Sequence, residues 1–387
     1  MSISISTITV LPPAPAISPP SPVLLRDNSG GLKLWSVALI ATSALVSLIF
    51  LSCYYFYRRS VYGKKPEKNE EQEENRGTQS HWSESTDDDQ ERSMELEFLD
   101  KKKPIFDLDD LLCAAAEEIG RGKLGPTYKA MLECGSVVAV KRLEETNTSK
   151  KEFAQQVRLL GNIKHESLAK VISFHHSKEE RMIVYEYVPD PTLFTLLHGE
   201  NISTRLNWKT RVSIIEEIAK AMDFLHNQRV PHGNLKSSNV LIRRVGVNIR
   251  VKLTDYGFLR IVPGHKLSVG KTPEFGDSKK KLTRKADVYC FGILVLELVT
   301  GKVPLSPKLS VSSPLDNSDL SGWVKEAVNN EWSMDILDAE ILGENEGYDD
   351  MLRLMEIALE CTDELPERRP NMSRVLRNLR DMHTTLS

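Results

Sequence analysis

The sequence predicts an α+β fold, a β-rich stretch followed by a mostly helical one, carried behind a single apolar span. Three observations predict it. Gly120, Gly122 and Gly125 form a G-x-G-x-x-G run that returns at once to the strand-like Thr127-Tyr128, and Val137-Val138-Ala139-Val140-Lys141 follows as a β-branched run ending in lysine. From Asn207 to His226, apolar residues recur at helical spacing. Between Leu34 and Tyr57 no residue is charged.

That uncharged run comes first in the chain. About 20 apolar residues cross a bilayer as a helix, so 34–57 suffices with some tilt. Trp35 at one end and Tyr54, Tyr55 and Tyr57 at the other resemble interfacial aromatic anchors. Arg58, Arg59, Lys64 and Lys65 follow directly, against only Arg26 and Lys33 before the run. The positive-inside bias therefore places everything after Tyr57 in the cytoplasm, as a single-pass protein of the plasma membrane. A cleaved signal peptide fits poorly: the run is too long and begins late, and residues 1–25 carry no basic group.

The remaining chain divides by composition. Residues 1–33, proline-rich between Pro12 and Pro22, are too short to bury a core and are expected to be extracellular and disordered. Residues 58–105 carry Glu70-Glu71-Gln72-Glu73-Glu74 and Asp87-Asp88-Asp89, which reads as a solvated acidic linker. Residues 106–387 turn globular. The net charge of −3, with no basic stripe among aromatics, argues against nucleic acid as a partner. Five cysteines without a C-x-x-C pair argue against a disulfide scaffold and structural zinc.

Within the globular part the elements follow in order. Glycines let a hairpin close over phosphate oxygens, and a lysine on the next strand places positive charge on them. A dinucleotide-binding turn would need a helix directly after the glycines, and Pro126 with the return to strand argues against it. A helix is expected over Lys150 to Asn162, then a buried strand and connector over Arg181 to Val188. After the long helix come His232-Gly233-Asn234-Leu235-Lys236-Ser237-Ser238-Asn239, a strand ending at Leu253, and Asp255-Tyr256-Gly257. Pro273-Glu274, the apolar helix opened by Asp287, and Arg368-Arg369-Pro370 complete the series.

In this order and spacing the motifs resemble those of a eukaryotic protein kinase domain, from about Phe106 to the C-terminus. More closely they resemble plant receptor-like kinases of the leucine-rich repeat class. The lead-in F-x-L-x-D-L-L of that class is matched by Phe106-Asp107-Leu108-Asp109-Asp110-Leu111-Leu112. The repeat-bearing ectodomain of that class is not found in this sequence. The resemblance implies two lobes, an N-lobe antiparallel sheet with a helix and a mostly helical C-lobe.

The resemblance also implies site roles. Gly120, Gly122 and Gly125 cover ATP, Ala139 and Leu241 sandwich its base, and Lys141 contacts its phosphates. The hinge is Tyr185 to Val188, with Glu186 and Val188 at the purine edge. Asp255 and Asn239 match magnesium ligands, and Lys236 would steady the transferring phosphoryl group. Glu274 and Arg369 match a buried ion pair, and Asp287 the residue bracing the catalytic loop. Thr127 and Tyr256 depart mildly from the pattern, standing for a valine over the base and a phenylalanine, and three further positions depart more. Asn234 stands where kinases carry the aspartate base, and an amide cannot accept a proton at neutral pH. Gln156 stands at the helix glutamate that pairs with the lysine, with Glu152, one turn earlier, as a substitute. Gly233 replaces the arginine that would clasp a phosphorylated activation loop, whose hydroxyl sites are Ser268 and Thr272.

Fold-supporting residues kept and catalytic ones altered favour binding over turnover. The expectation is a membrane-anchored receptor-like pseudokinase that binds ATP and magnesium and scaffolds cytoplasmic signalling proteins or other receptor-like kinases. The alternative is a weakly active Ser/Thr kinase, because proton loss comes late in a loose phosphoryl-transfer transition state.

Overall fold

The structure, a computed structural model, describes residues 96–99, 106–177, 179–200, 206–246, 248–276, 283–304, 320–329, 336–342 and 347–384. The extracellular segment, the apolar run 34–57 and most of the expected linker lie outside the described residues. Among those described, no helix is long and apolar enough to cross a membrane.

An antiparallel sheet forms the N-terminal half. Its strands are β1 (Glu97–Phe98), β2 (Ala115–Gly122), β3 (Gly125–Met131), β4 (Val137–Arg142), β5 (Val171–His176) and β6 (Arg181–Glu186), ordered β1-β5-β6-β4-β3-β2. Alternation along β4 explains the layering. Val138 and Val140 face a small core with Phe106, Leu111, Leu132 and Met182, beneath helix α1 (Leu108–Cys113). The alternate residues, Ala139 and Lys141, belong to the opposite face. Asp107 caps α1 and exchanges hydrogen bonds with Asp110.

Strand β1 comes from the stretch expected to be linker. Its register pairs Glu97 with Phe174 and Phe98 with Ser173. Glu97 grips Arg158 through two hydrogen bonds of 2.5 and 2.7 Å, and Phe98 packs edge-on against Phe106. The folded unit therefore takes in residues upstream of Phe106.

Helix α2 (Lys150–Gly161) begins where Ser149 and Glu152 close a capping box. Its buried face, Phe153, Val157 and Leu160, joins the main core. That core continues through α4 (Trp208–Asn227), capped by Asn207, and α5 (Arg284–Thr300), capped by Thr283. Between α2 and α4 lies α3 (Leu193–His198). Between α4 and α5 the hairpin of β7 (Val240–Val245) and β8 (Asn248–Leu253) lies beneath the hinge. Helices α6 (Leu320–Asn329), α7 (Ala339–Leu342), α8 (Tyr348–Cys361) and α9 (Met372–Thr384) complete the C-terminal half. This is the two-lobed arrangement expected: an N-lobe sheet with one long helix, and a helical C-lobe.

One buried ion pair closes the C-lobe. The Arg369 guanidinium donates to both carboxylate oxygens of Glu274, at 2.9 and 2.8 Å, and also to the carbonyls of Asp363 and Lys285. Arg369 is 1 % exposed and stacks over Tyr289, so its charge is fully committed within the protein. Burial opposes ionisation of Glu274, yet the hydrogen bonds outweigh it and hold the carboxyl below its usual range. Removing one partner strands the other charge. Arg369→Ala should destabilise the full-length chain by about 3–5 kcal/mol in urea unfolding. A loss below about 1 kcal/mol would show that the pair does not hold the lobe.

Candidate functional site

The glycine hairpin is built by a two-residue turn, Lys123-Leu124, closing between paired Gly122 and Gly125. A register shift between Glu118 and Gly120 bulges the strand at Ile119, which is 47 % exposed on the roof. Gly125 adopts φ +117°, where a β-carbon would collide with the Arg142 carbonyl oxygen, so only glycine fits. Gly120 and Gly122 have open space above them, which leaves room for a ligand to approach the backbone. Leu124 is buried, and its carbonyl accepts from the Glu144 amide at 3.1 Å, which anchors the tip.

Across the sheet, Thr127 pairs with Lys141 and Ala139 with Tyr185. Lys141 is 6 % exposed. Its ammonium lies 3.2 Å from Asp255 Oδ2 and donates to Thr127 Oγ1 at 3.2 Å. Gln156 does not reach it. The Gln156 amide donates instead to the Gly257 carbonyl at 3.3 Å. Glu152 is no substitute either, because its carboxylate is engaged by the backbone and hydroxyl of Ser149. Asp255 thus takes the role expected of the helix, from the other side of the cleft. Its backbone sits at φ +56°, a left-handed conformation that a non-glycine residue rarely holds without enforcement by its surroundings.

The loop bearing Asn234 is fixed from below. Asp287, fully buried, accepts from the backbone amides of His232 at 2.8 Å and Gly233 at 2.7 Å, and pairs with His226 Nε2 at 3.0 Å. Gly233 takes φ +80°. Asn239 donates its amide to the Asn234 carbonyl at 2.8 Å. The Asn234 side chain, 2 % exposed, accepts from both the amide and the hydroxyl of Ser268, each at 3.1 Å. A neutral acceptor therefore holds the activation segment where a base would face a substrate hydroxyl. That segment is compact: Asn147 donates to the Ile261 carbonyl at 3.1 Å, and Lys266 pairs with Glu145 at 2.5 Å.

At the hinge, Glu186 accepts from the Lys170 amide at 3.0 Å and from the Lys252 ammonium. Val188 lies just beyond β6 and its backbone has no hydrogen-bond partner among the described residues, which leaves it available to a planar base. Ala139 on β4 and Leu241 on β7 are both half-buried. Lys236 is exposed, but within a concave cleft. Desolvation pushes its ammonium down, opposed by Asp255 and reinforced by Lys141, Lys271 and Lys123.

The structure thus brings Lys141, Asp255, Asn234, Asn239 and Lys236 together at one end of the cleft, with Glu186 and Val188 at the other. Asp255 and Asn239 carry oxygen donors of the kind magnesium takes, but the Asp255 carboxylate already pairs with the Lys141 ammonium at 3.2 Å. Among the described residues no cluster of three or more histidines, cysteines or acids forms a self-sufficient metal site. Two residues escaped the sequence reading. Ile119 hid because a bulge, not an alternating pattern, exposes it. Tyr185 was read only as hinge, yet it is buried behind Ala139 and its hydroxyl has no partner among the described residues. Burial, then the Asp255 charge, pushes that phenol up.

The family described as protein tyrosine and serine/threonine kinase matches residues 113–379. The chain belongs to this kinase family. Among curated relatives, the domain is similar to the leucine-rich repeat receptor-like protein kinase PXC1 of Arabidopsis thaliana, 32% identical over 99% of this chain and 62% of that protein. It is also similar to a probable inactive receptor kinase of the same plant, 35% identical over 74% of this chain and 44% of that protein. The chain therefore spans less than two thirds of these relatives. Among solved structures, the maize SIRK1 kinase domain bound to AMP-PNP superposes with a TM-score of 0.63 at 31% identity, covering 74% of this chain and 99% of that one. The pseudokinase domain of BIR2, an immune regulator, superposes at 0.60 with 26% identity, covering 77% and 92%.

One group in the kinase domain reports on pH. His232 Nδ1 accepts from the Asn234 amide, and Nε2 is buried without a partner among the described residues. Desolvation pushes the imidazole down to about 4, against the opposing pull of Asp287 and Asp255. The folded protein keeps His232 neutral while the unfolded chain protonates it near pH 6.5. Stability should therefore fall as pH drops from about 6.5 to about 4, by about 3 kcal/mol from this residue. Urea unfolding at both ends of that range should show His232→Gln losing clearly less than the wild type. Equal losses would contradict the assignment.

Proposed function

We propose that this chain is a membrane-anchored receptor-like pseudokinase that binds ATP in the interlobe cleft and acts as a signalling scaffold or regulator. The observation that carries the reading is Asn234. Its side chain is an amide that accepts from Ser268, so residue 234 offers no proton acceptor where a kinase carries its aspartate. The anchor is the apolar run 34–57, and the partners are cytoplasmic signalling proteins or other receptor-like kinases. Relatives named as inactive or as a pseudokinase, beside a neighbour bound to AMP-PNP, support binding without turnover.

ATP contacts would come from the backbone of Gly120, Gly122 and Gly125, from Lys141, and from the free backbone of Val188. Asp255 and Asn239 are the residues that would face magnesium, and Asp255 already pairs with Lys141. The weak-kinase reading keeps support from Lys141, Lys236 and Asp255, since general-base catalysis contributes only about 10²–10⁴-fold.

Thermal unfolding of the purified full-length chain should shift upward with ATP, by mass action on the folded state. Transfer of labelled γ-phosphate by the same preparation should stay at background. Robust transfer that Lys141→Ala abolishes would overturn the pseudokinase reading, and absence of any ATP shift would overturn the binding one.

A further inference from the structure

We propose that the phosphate end of this cleft takes a nucleoside triphosphate without a divalent cation, the protein's own lysines replacing the metal. The proposal rests on the nucleotide-binding reading above and says what neutralises the phosphates.

The argument begins with the lysine partner. A glutamate on α2 would engage Lys141 and leave Asp255 open for a cation. Here Gln156 turns to the Gly257 carbonyl, and Glu152 caps its own helix. Lys141 consequently lies on Asp255, 3.2 Å from Oδ2 and shielded from bulk water. A cation arriving at Asp255 must share that carboxylate with an ammonium group, and like charges so close repel strongly where water is scarce. Asn239, its amide nitrogen tied to the Asn234 carbonyl, offers one neutral oxygen, which cannot offset the ammonium charge beside Asp255.

The second observation is a surplus of positive charge from three other elements. Lys123 stands at the tip of the glycine hairpin, Lys236 follows Asn234, and Lys271 projects from the activation segment. Lys236 lies in the field of Asp255, Lys141, Lys271 and Lys123. Lys271 in turn lies in the field of Lys123. Lys236 thus faces one carboxylate, Asp255, and three further ammonium groups. Glu297, also near Lys271, is buried and committed to Ser237 at 2.7 Å and His198 at 2.9 Å. A fully ionised triphosphate relieves this repulsion. A bound divalent cation lowers the charge of the ligand and adds positive charge beside lysines, so it weakens the complex.

The test is a titration of the full-length chain, followed by thermal shift, with ATP in EDTA and with ATP in excess magnesium. Binding in EDTA should equal or exceed that in magnesium, by up to about tenfold. It should weaken steeply with added salt, as exposed charges are screened. Lys123→Ala and Lys271→Ala should each weaken binding in EDTA by about threefold to tenfold. AMP and inorganic tripolyphosphate in EDTA should each bind at least about tenfold less tightly than ATP. ATP binding in magnesium but not in EDTA would overturn this proposal and leave the nucleotide reading standing. Tripolyphosphate binding as tightly as ATP would overturn the nucleoside part. No ATP binding in either buffer would overturn the nucleotide reading itself.

Discussion

A single buried carboxylate, Asp287 at the start of α5, holds the loop on which the site depends. It takes two backbone amides, His232 and Gly233, and one imidazole, His226. Hydrogen bonds to a charged group contribute about 1.5–3 kcal/mol each, against several kcal/mol for taking the charge out of water. The net effect on stability is modest; the effect on geometry is large. With the backbone held by the helix beneath, residue 234 can change from acid to amide without loosening the loop. The Arg369–Glu274 pair does comparable work lower in the C-lobe. The fold and the chemistry are therefore supported by different residues, and one can be altered while the other persists.

The altered chemistry has a consistent electrostatic consequence. An acid at 234 and another at 156 would place two more negative charges around Lys141, Lys236 and Asp255. Both are amides here. Gln156 finds a backbone carbonyl and Asn234 finds Ser268, so neither is left unsatisfied. On the proposals above, a cleft so altered would hold a polyanion more readily than it would remove a proton from an alcohol.

Much of this was legible in the sequence, for identifiable reasons. The helices begun by Ser149 and Asn207 were legible from the residue patterns that follow, and the structure adds the capping bonds that start them. Lys141 was legible because β-branched residues precede it at strand spacing. The Arg369–Glu274 pair and the role of Asp287 followed from family resemblance, and the geometry bears them out. Contacts set by tertiary packing were not legible. Gln156 was legible as the loss of the lysine's partner, but not its bond to the Gly257 carbonyl, about a hundred positions away. Ser268 was legible only as a hydroxyl in the activation segment, not as the group that closes onto Asn234. Strand β1 escaped notice because two residues in a charged stretch carry no periodic signal; pairing with β5 and the grip of Arg158 create it.

The most direct test of the account is phosphoryl transfer from labelled ATP by the wild-type chain, Asn234→Asp, Gln156→Glu and the double variant. The account predicts that the wild type and both single variants stay near background, and that the double variant exceeds the wild type by about 10²-fold or more. A wild type that already transfers as fast as the double variant would contradict it.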